Sequence, residues 1–154
     1  MGWYTEYFTS DLPTKIYHLC PKKDWEQRPN SATYYSQLYA KEKVIRCLHN
    51  PGKLMEVANC FYQKESAASE EWICLEVDTV CLRMNGIEVE MVQSDLDKDL
   101  QCPHVKDGIP QEAVTKTFQV QRDATSGEFL FVLALTDTCS GHGNKAKPET
   151  KITV

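Results

Sequence analysis

KIYHLCPKKDW, residues 15–25, decides how the rest of the chain is read. Ile16, Tyr17 and Leu19 favour an extended strand, and Pro21 breaks it into a charged run that turns into a brief helix ended by Pro29. A strand alternates its side chains between two faces, so a histidine among apolar neighbours is aimed somewhere definite. His18 is therefore a satisfied core residue or a group presented to a pocket.

From there the pattern extends as a mixture of strands and a few helices. TYYSQLYAKEK, residues 33–43, offers a helical turn or two, and KVIRCL, residues 43–48, reads as a second strand. Asn50 is an N-cap candidate with Pro51 at the first helical position; Leu54, Val57, Ala58, Phe61 and Tyr62 then recur at helical spacing and predict a core-facing stripe. WICLEVD (72–78) and IEVEMV (87–92) alternate as half-buried strands. SDLDKDL (94–100) reads as an acidic loop, and CPHVKDGIP (102–110) is too rich in Pro and Gly for a regular element. AVTKTFQVQR and FLFVLALT flank DATSGE as a hairpin, the second strand apolar on both faces and so expected to be central. This order predicts an α+β domain over residues 15–136, an N-terminal extension over 1–14 and a flexible tail over 137–154.

The 154 residues fit one domain, and a hydrophobic share of 42% with 25% charged residues is that of a globular protein. A net charge of −5 with scattered basic residues argues against a nucleic-acid duplex as partner. No apolar run is long enough to span a membrane, and the amino terminus carries no leader pattern, so a cytoplasmic location is expected. The seven cysteines, none in a C-x-x-C pair, read as reduced thiols.

Several constellations could carry chemistry. His18 with Cys20, Cys47 with His49, and Cys102 with His104 are i, i+2 pairs that on strands would share a side; two of them converging, as His18 and Cys20 with Cys102 and His104, would supply a Cys₂His₂ zinc site. The plainer reading is that H-x-C pairs are unspecific and that Pro21 and Pro103 bend two of the segments. Glu88 projects from its strand opposite the apolar residues, either onto a solvated face or into a cleft where a carboxylate stabilises positive charge. His104 lies in a Pro-flanked segment suited to presenting a functional group. Cys47 beside Arg46 is a candidate for an activated thiol if the cation outweighs burial. Trp25, Tyr34, Tyr35 and Tyr39 are core residues or a stacking surface. GHGNKA near the carboxyl end lacks the spacing of a dinucleotide fingerprint.

Taken in order, IYH (16–18), DW (24–25), VIRC (44–47), VANCFY (57–62), LEVD (75–78), IEVE (87–90), CPHV (102–105) and AV (113–114) resemble the uncharacterised family known as the domain of unknown function numbered 952. Its members are similar in fold to ADP-ribosyltransferases: a split, mostly antiparallel sheet around a cleft. The resemblance implies that His18, Arg46, Cys47, Glu88 and His104 face that cleft, with His18 in a ribose-holding role and Glu88 in the catalytic one. It also implies NAD or an ADP-ribose-like molecule as ligand. Arg46 stands where the family pattern has a histidine, and Lys106 where it has a tyrosine. A guanidinium favours an anionic ligand through its planar fork of donors. The expected function is thus a cleft for a nucleotide or phosphate-bearing small molecule, with transferase or hydrolase activity altered or lost. The rival expectation is a non-catalytic domain that receives a protein partner near Trp25 or the acidic loop.

Overall fold

Strand β1 (Lys15–Pro21) is buried along its middle and pairs antiparallel with β3 (Trp72–Asp78). The computed structural model describes residues 12–28, 33–94 and 100–134, and everything below concerns these. β3 in turn pairs with β6 (Val114–Arg122), and β6 with β7 (Phe129–Val132), giving a four-stranded antiparallel sheet in the order β1-β3-β6-β7. A second antiparallel sheet has the order β2-β5-β4, built from β2 (Ile45–Arg46), β5 (Gln101–Val105) and β4 (Val89–Gln93). The architecture is α+β, as expected.

The two sheets touch at one place. Tyr17 and Leu48 exchange backbone hydrogen bonds of 2.7 and 2.8 Å, an isolated bridge between β1 and the end of the β2 segment. Beyond it the strands part. β2 itself is short for a reason visible in its partner: Cys47 donates its N–H to the Pro103 carbonyl at 2.9 Å, but Pro103 has no N–H to return. The ladder therefore stops after Arg46, and the chain is released to reach Tyr17.

Helices are few and short. Lys22–Glu26 (α1) follows β1 directly, and Tyr39–Glu42 (α2) ends at Lys43, whose φ of 62° is left-handed. Asn50 caps a turn of 3₁₀ helix through its side-chain oxygen to Gly52 N at 2.9 Å, and α3 (Leu54–Phe61) continues from it. α4 (Thr79–Met84) is capped by the Asp78 carboxylate. No helix among the described residues is long and apolar enough to cross a membrane.

The core lies on both faces of the four-stranded sheet. Tyr17, Leu19, Leu54, Ala58, Trp72 and Phe129 pack on one face; Ile16, Cys20, Tyr34, Ile45, Leu75 and Val105 pack on the other. β1 contributes to both by simple alternation. β3, read from sequence as half-buried, is a central strand: Cys74 is fully buried and Glu76 is buried with its carboxylate held by Tyr17 and Thr115. β7, expected to be central, is at the edge of its sheet, with Leu130 and Phe131 partly exposed. β5 forms where Pro and Gly predicted irregular structure, since Pro103 can sit in the strand with its missing donor at the point where β2 ends. The N-terminal extension is described only from residue 12, where the Pro13 and Thr14 carbonyls bind Thr79 at 2.6 and 3.0 Å. The predicted tail, Pro29 and most of the acidic loop lie outside the described residues.

α3 is tied to the edge strand by one side chain. Asn59 donates to the Phe129 carbonyl at 2.9 Å and accepts from the Phe129 N–H at 2.7 Å, imitating a neighbouring strand. Asn59→Ala leaves both backbone groups without that partner and should lower stability by about 1–3 kcal/mol, read as a reduced urea midpoint with unchanged slope. An unchanged midpoint would show that α3 docks by its apolar contacts alone.

Candidate functional site

The parting of the sheets opens a cleft, and His18 stands at its apex. His18 is 5% exposed and both ring nitrogens are occupied: Nδ1 lies 2.8 Å from the Arg46 carbonyl and Nε2 2.9 Å from the Tyr34 hydroxyl. A carbonyl only accepts, so Nδ1 carries the proton and Nε2 accepts from Tyr34. The Cys20 thiol neighbours the same hydroxyl. Burial lowers His18 to about 4, partly opposed by its bond to Arg46, and pushes the Cys20 thiol up to about 12. The ring is neutral and fixed.

Tyr34 is held in place by the loop after β5. Its backbone exchanges bonds of 2.8 and 2.9 Å with Ile109, and Gly108 makes the approach possible. A Cβ at Gly108 would lie 2.4 Å from Thr33 Cγ2 and 2.6 Å from the Tyr35 ring. Glycine is required there by space rather than by backbone conformation.

Because Arg46's carbonyl is taken by an imidazole, it does not pair with β1. Tyr17 sends its backbone groups to Leu48, and Lys22 bonds toward β3 at Glu71. By strand parity the N–H and C=O of Leu19 point outward on the same edge as those of Tyr17. They have no protein partner among the described residues. The result is a donor and an acceptor, side by side, on the wall of a cleft of about 340 Å³ shared by His18, Leu19, Tyr34, Glu42, Arg46 and Trp72.

Arg46 is exposed at the mouth, its guanidinium making a two-point ion pair with Glu42 at 3.1 and 3.2 Å. It sits in register with His104, which in turn faces Glu90 across β5 and β4. His104 is half-buried and its ring has no hydrogen bond to another described residue. Burial, then the nearby Arg46, lowers its pKa, so it too is neutral at pH 7. Lys106 is joined to Glu90 at 2.8 Å. This face of the small sheet is a row of alternating charges around an unpaired imidazole.

The remaining sequence candidates fall elsewhere. Glu88 is exposed, precedes β4 rather than lying in it, and lines neither this cleft nor its neighbour. The acids that do reach the cleft are Asp24, Glu42 and Glu70; Asp24 accepts from the Gln37 side chain at 2.8 Å, and Glu70 is held by Ser66 at 2.6 Å and Lys23 at 3.2 Å. Cys47 is buried and burial raises its pKa, so the adjacent Arg46 does not activate it. No three His, Cys, Asp or Glu side chains among the described residues are grouped to hold a metal, and His18, Cys20, Cys102 and His104 are not brought together as such a group. Trp25 and Tyr34 pack together within the core, whereas Tyr35 and Tyr39 meet edge-on, Tyr35 half-exposed. Leu19 was missed because a leucine's backbone carries no sequence signal; only the pairing shows it.

A second residue missed from sequence is Arg122. It is buried beneath Phe129 and donates to carbonyls of Ala67, Glu70 and Gly127 at 2.8 to 2.9 Å. It thereby fixes the 66–70 loop that brings Ser66 and Glu70 to the cleft.

No family model matches this chain, and no curated protein matches it. Among solved structures, the crystal structure of protein CC0527 from Caulobacter crescentus is similar, with a TM-score of 0.62 and 16% identity over 82% of this chain and 99% of that one. A methionine double mutant of the same protein gives a TM-score of 0.61 at the same identity and coverage. At that identity the likeness establishes the fold alone.

The His18 environment makes a prediction about acid. The unfolded chain takes up a proton at His18 near the ordinary value of 6.5, the folded chain only near 4. Stability is therefore complete above about pH 6.5 and drains as pH falls toward 4, by about 3 kcal/mol from this group. His18→Gln should be less stable at pH 7.5 and lose less on acidification than the parent, measured by urea unfolding between pH 7.5 and 4.5. Identical pH slopes would contradict a buried neutral imidazole.

Proposed function

We propose that the protein binds a nucleotide-type ligand in the cleft between its sheets, using an inherited ADP-ribosyltransferase-like shape without transferase activity. The observation that carries this is the unpaired edge at Leu19. An N–H and a C=O separated by one residue's width complement a carboxamide or the edge of a base, each of which offers a donor and an acceptor in the same plane. Arg46 at the mouth supplies a guanidinium for a phosphate, which would compete with Glu42 for its two donors. NAD carries a carboxamide, a base and phosphates, and ADP-ribose a base and phosphates; the resemblance of this chain to the domain of unknown function numbered 952 supports the same class of ligand.

Two features favour binding over turnover. The cleft's carboxylates are engaged, Asp24 by Gln37, Glu42 by Arg46 and Glu70 by Ser66 and Lys23, so none stands ready to support a positive centre. Glu88, the carboxylate that the resemblance would make catalytic, lines neither cleft.

Isothermal titration of NAD, ADP-ribose and nicotinamide into the purified chain tests this. Arg46→Ala should weaken the two phosphate-bearing ligands about tenfold or more, the worth of a charged hydrogen-bonding pair, and leave nicotinamide unchanged. NAD should not be consumed on prolonged incubation. Absence of heat with all three ligands would overturn the binding reading, and release of nicotinamide above the buffer rate would overturn the loss of activity.

A further inference from the structure

A second groove adjoins the first and has a different character. It lies between α3 and the three-stranded sheet, encloses about 500 Å³, and shares with the first cleft the wall formed by Leu19, Leu38, Glu42, Arg46 and Tyr62. Its sides are apolar: Leu48, Leu54, Val57, Phe61 and Val92. Its floor holds Cys102 and His104, which share one face of β5.

The α3 stripe accounts for this groove. Leu54 and Ala58 are buried, yet Phe61 is 47% exposed and Val57 only half-buried, although all four lie on one helical face. Across the opening Leu38 is 49% exposed. The helix carries more apolar surface than the core covers, and the excess lines a concave wall.

Charge decides what fits. Among the described lining residues the charged side chains are Glu42 and Arg46, and they neutralise each other through two hydrogen bonds. An anionic head entering this groove would lose its hydration and would have to displace Glu42 from Arg46 to gain a counter-charge. Among the described side chains on the apolar floor, the His104 imidazole makes no hydrogen bond to another described residue. A neutral imidazole offers one donor and one acceptor, and a hydroxyl offers the complement.

We propose that this groove is a second binding site, for an uncharged, flat apolar molecule bearing one hydroxyl, with its ring system against Val57 and Phe61 and its hydroxyl on His104. The residues that would hold this molecule, Val57, Phe61 and His104, do not line the nucleotide cleft, although Leu19 and Arg46 belong to the wall that both share. The neutrality of His104 at pH 7, which follows from its burial and from Arg46, keeps the imidazole able to accept.

The test uses 2-naphthol and 2-naphthoate, which share a ring system and differ in the head group. Titrations at pH 7.5, followed by protein chemical shifts, should show saturable binding of 2-naphthol at least tenfold tighter than of 2-naphthoate. His104→Phe should reduce that preference to within about twofold. Val57→Arg and, separately, Phe61→Arg should abolish naphthol binding while nicotinamide titrated into the same samples behaves as with the parent. Two partly exposed positions are used so that a folding defect in one variant does not decide the outcome. Absence of saturable naphthol binding, equal or tighter binding of the naphthoate, or full binding in both arginine variants would overturn the proposal. A nicotinamide response lost without any change in naphthol binding would count against the nucleotide cleft alone.

Discussion

One hydrogen bond governs this architecture. The Arg46 carbonyl would ordinarily continue the antiparallel pairing begun at Tyr17 and Leu48 and meet the N–H of Leu19. It is instead taken by Nδ1 of His18 at 2.8 Å, and the sheet opens at that point. The imidazole acts as a wedge whose other nitrogen is anchored by Tyr34, and Tyr34 is anchored by the close approach of Gly108. A chain of neutral, mutually satisfied polar groups in a buried setting is rigid because any break leaves a donor or acceptor without a partner. The consequence is a cleft with a preorganised backbone edge.

How much of this was legible beforehand depends on what each residue contributes. β1, the α3 stripe and the hairpin after residue 113 follow from alternation, helical spacing and turn residues, all local properties. His18, Arg46 and His104 could be singled out because polar residues inside apolar strands are uncommon. The roles they play could not. Both ring nitrogens of His18 are taken up within the fold, and whether an imidazole is already satisfied depends on Tyr34 and on a carbonyl 28 residues away. β3, expected to be half-buried, is interior to its sheet and β7, expected to be central, is at the edge, because the centre of a sheet is set by topology; a Glu on a strand is buried when Tyr17 and Thr115 meet it. Pro103 misled by its usual meaning, while its actual effect is to end a ladder on one side only.

Electrostatics then separate the two concave surfaces. Arg46 and Glu42 stand between them as a matched pair; they are the charged side chains among the described lining of the second groove, whereas Lys23, Asp24 and Glu70 also reach the first. One surface presents backbone amide chemistry and the other an apolar wall with one open imidazole. The two histidines illustrate the division: one has both nitrogens consumed in building the fold, the other has both available.

The central claim is that the split leaves Leu19 unpaired while Tyr17, two residues earlier on the same edge, is bonded across it. Residue-resolved amide hydrogen exchange on the native protein reads this directly. The account predicts that the Tyr17 amide, bonded to Leu48 at 2.7 Å, is protected with the rest of β1, and that the Leu19 amide exchanges far faster than its neighbours His18 and Cys20. Protection of Leu19 equal to that of Tyr17 would mean that the sheet is continuous and that the cleft edge does not exist.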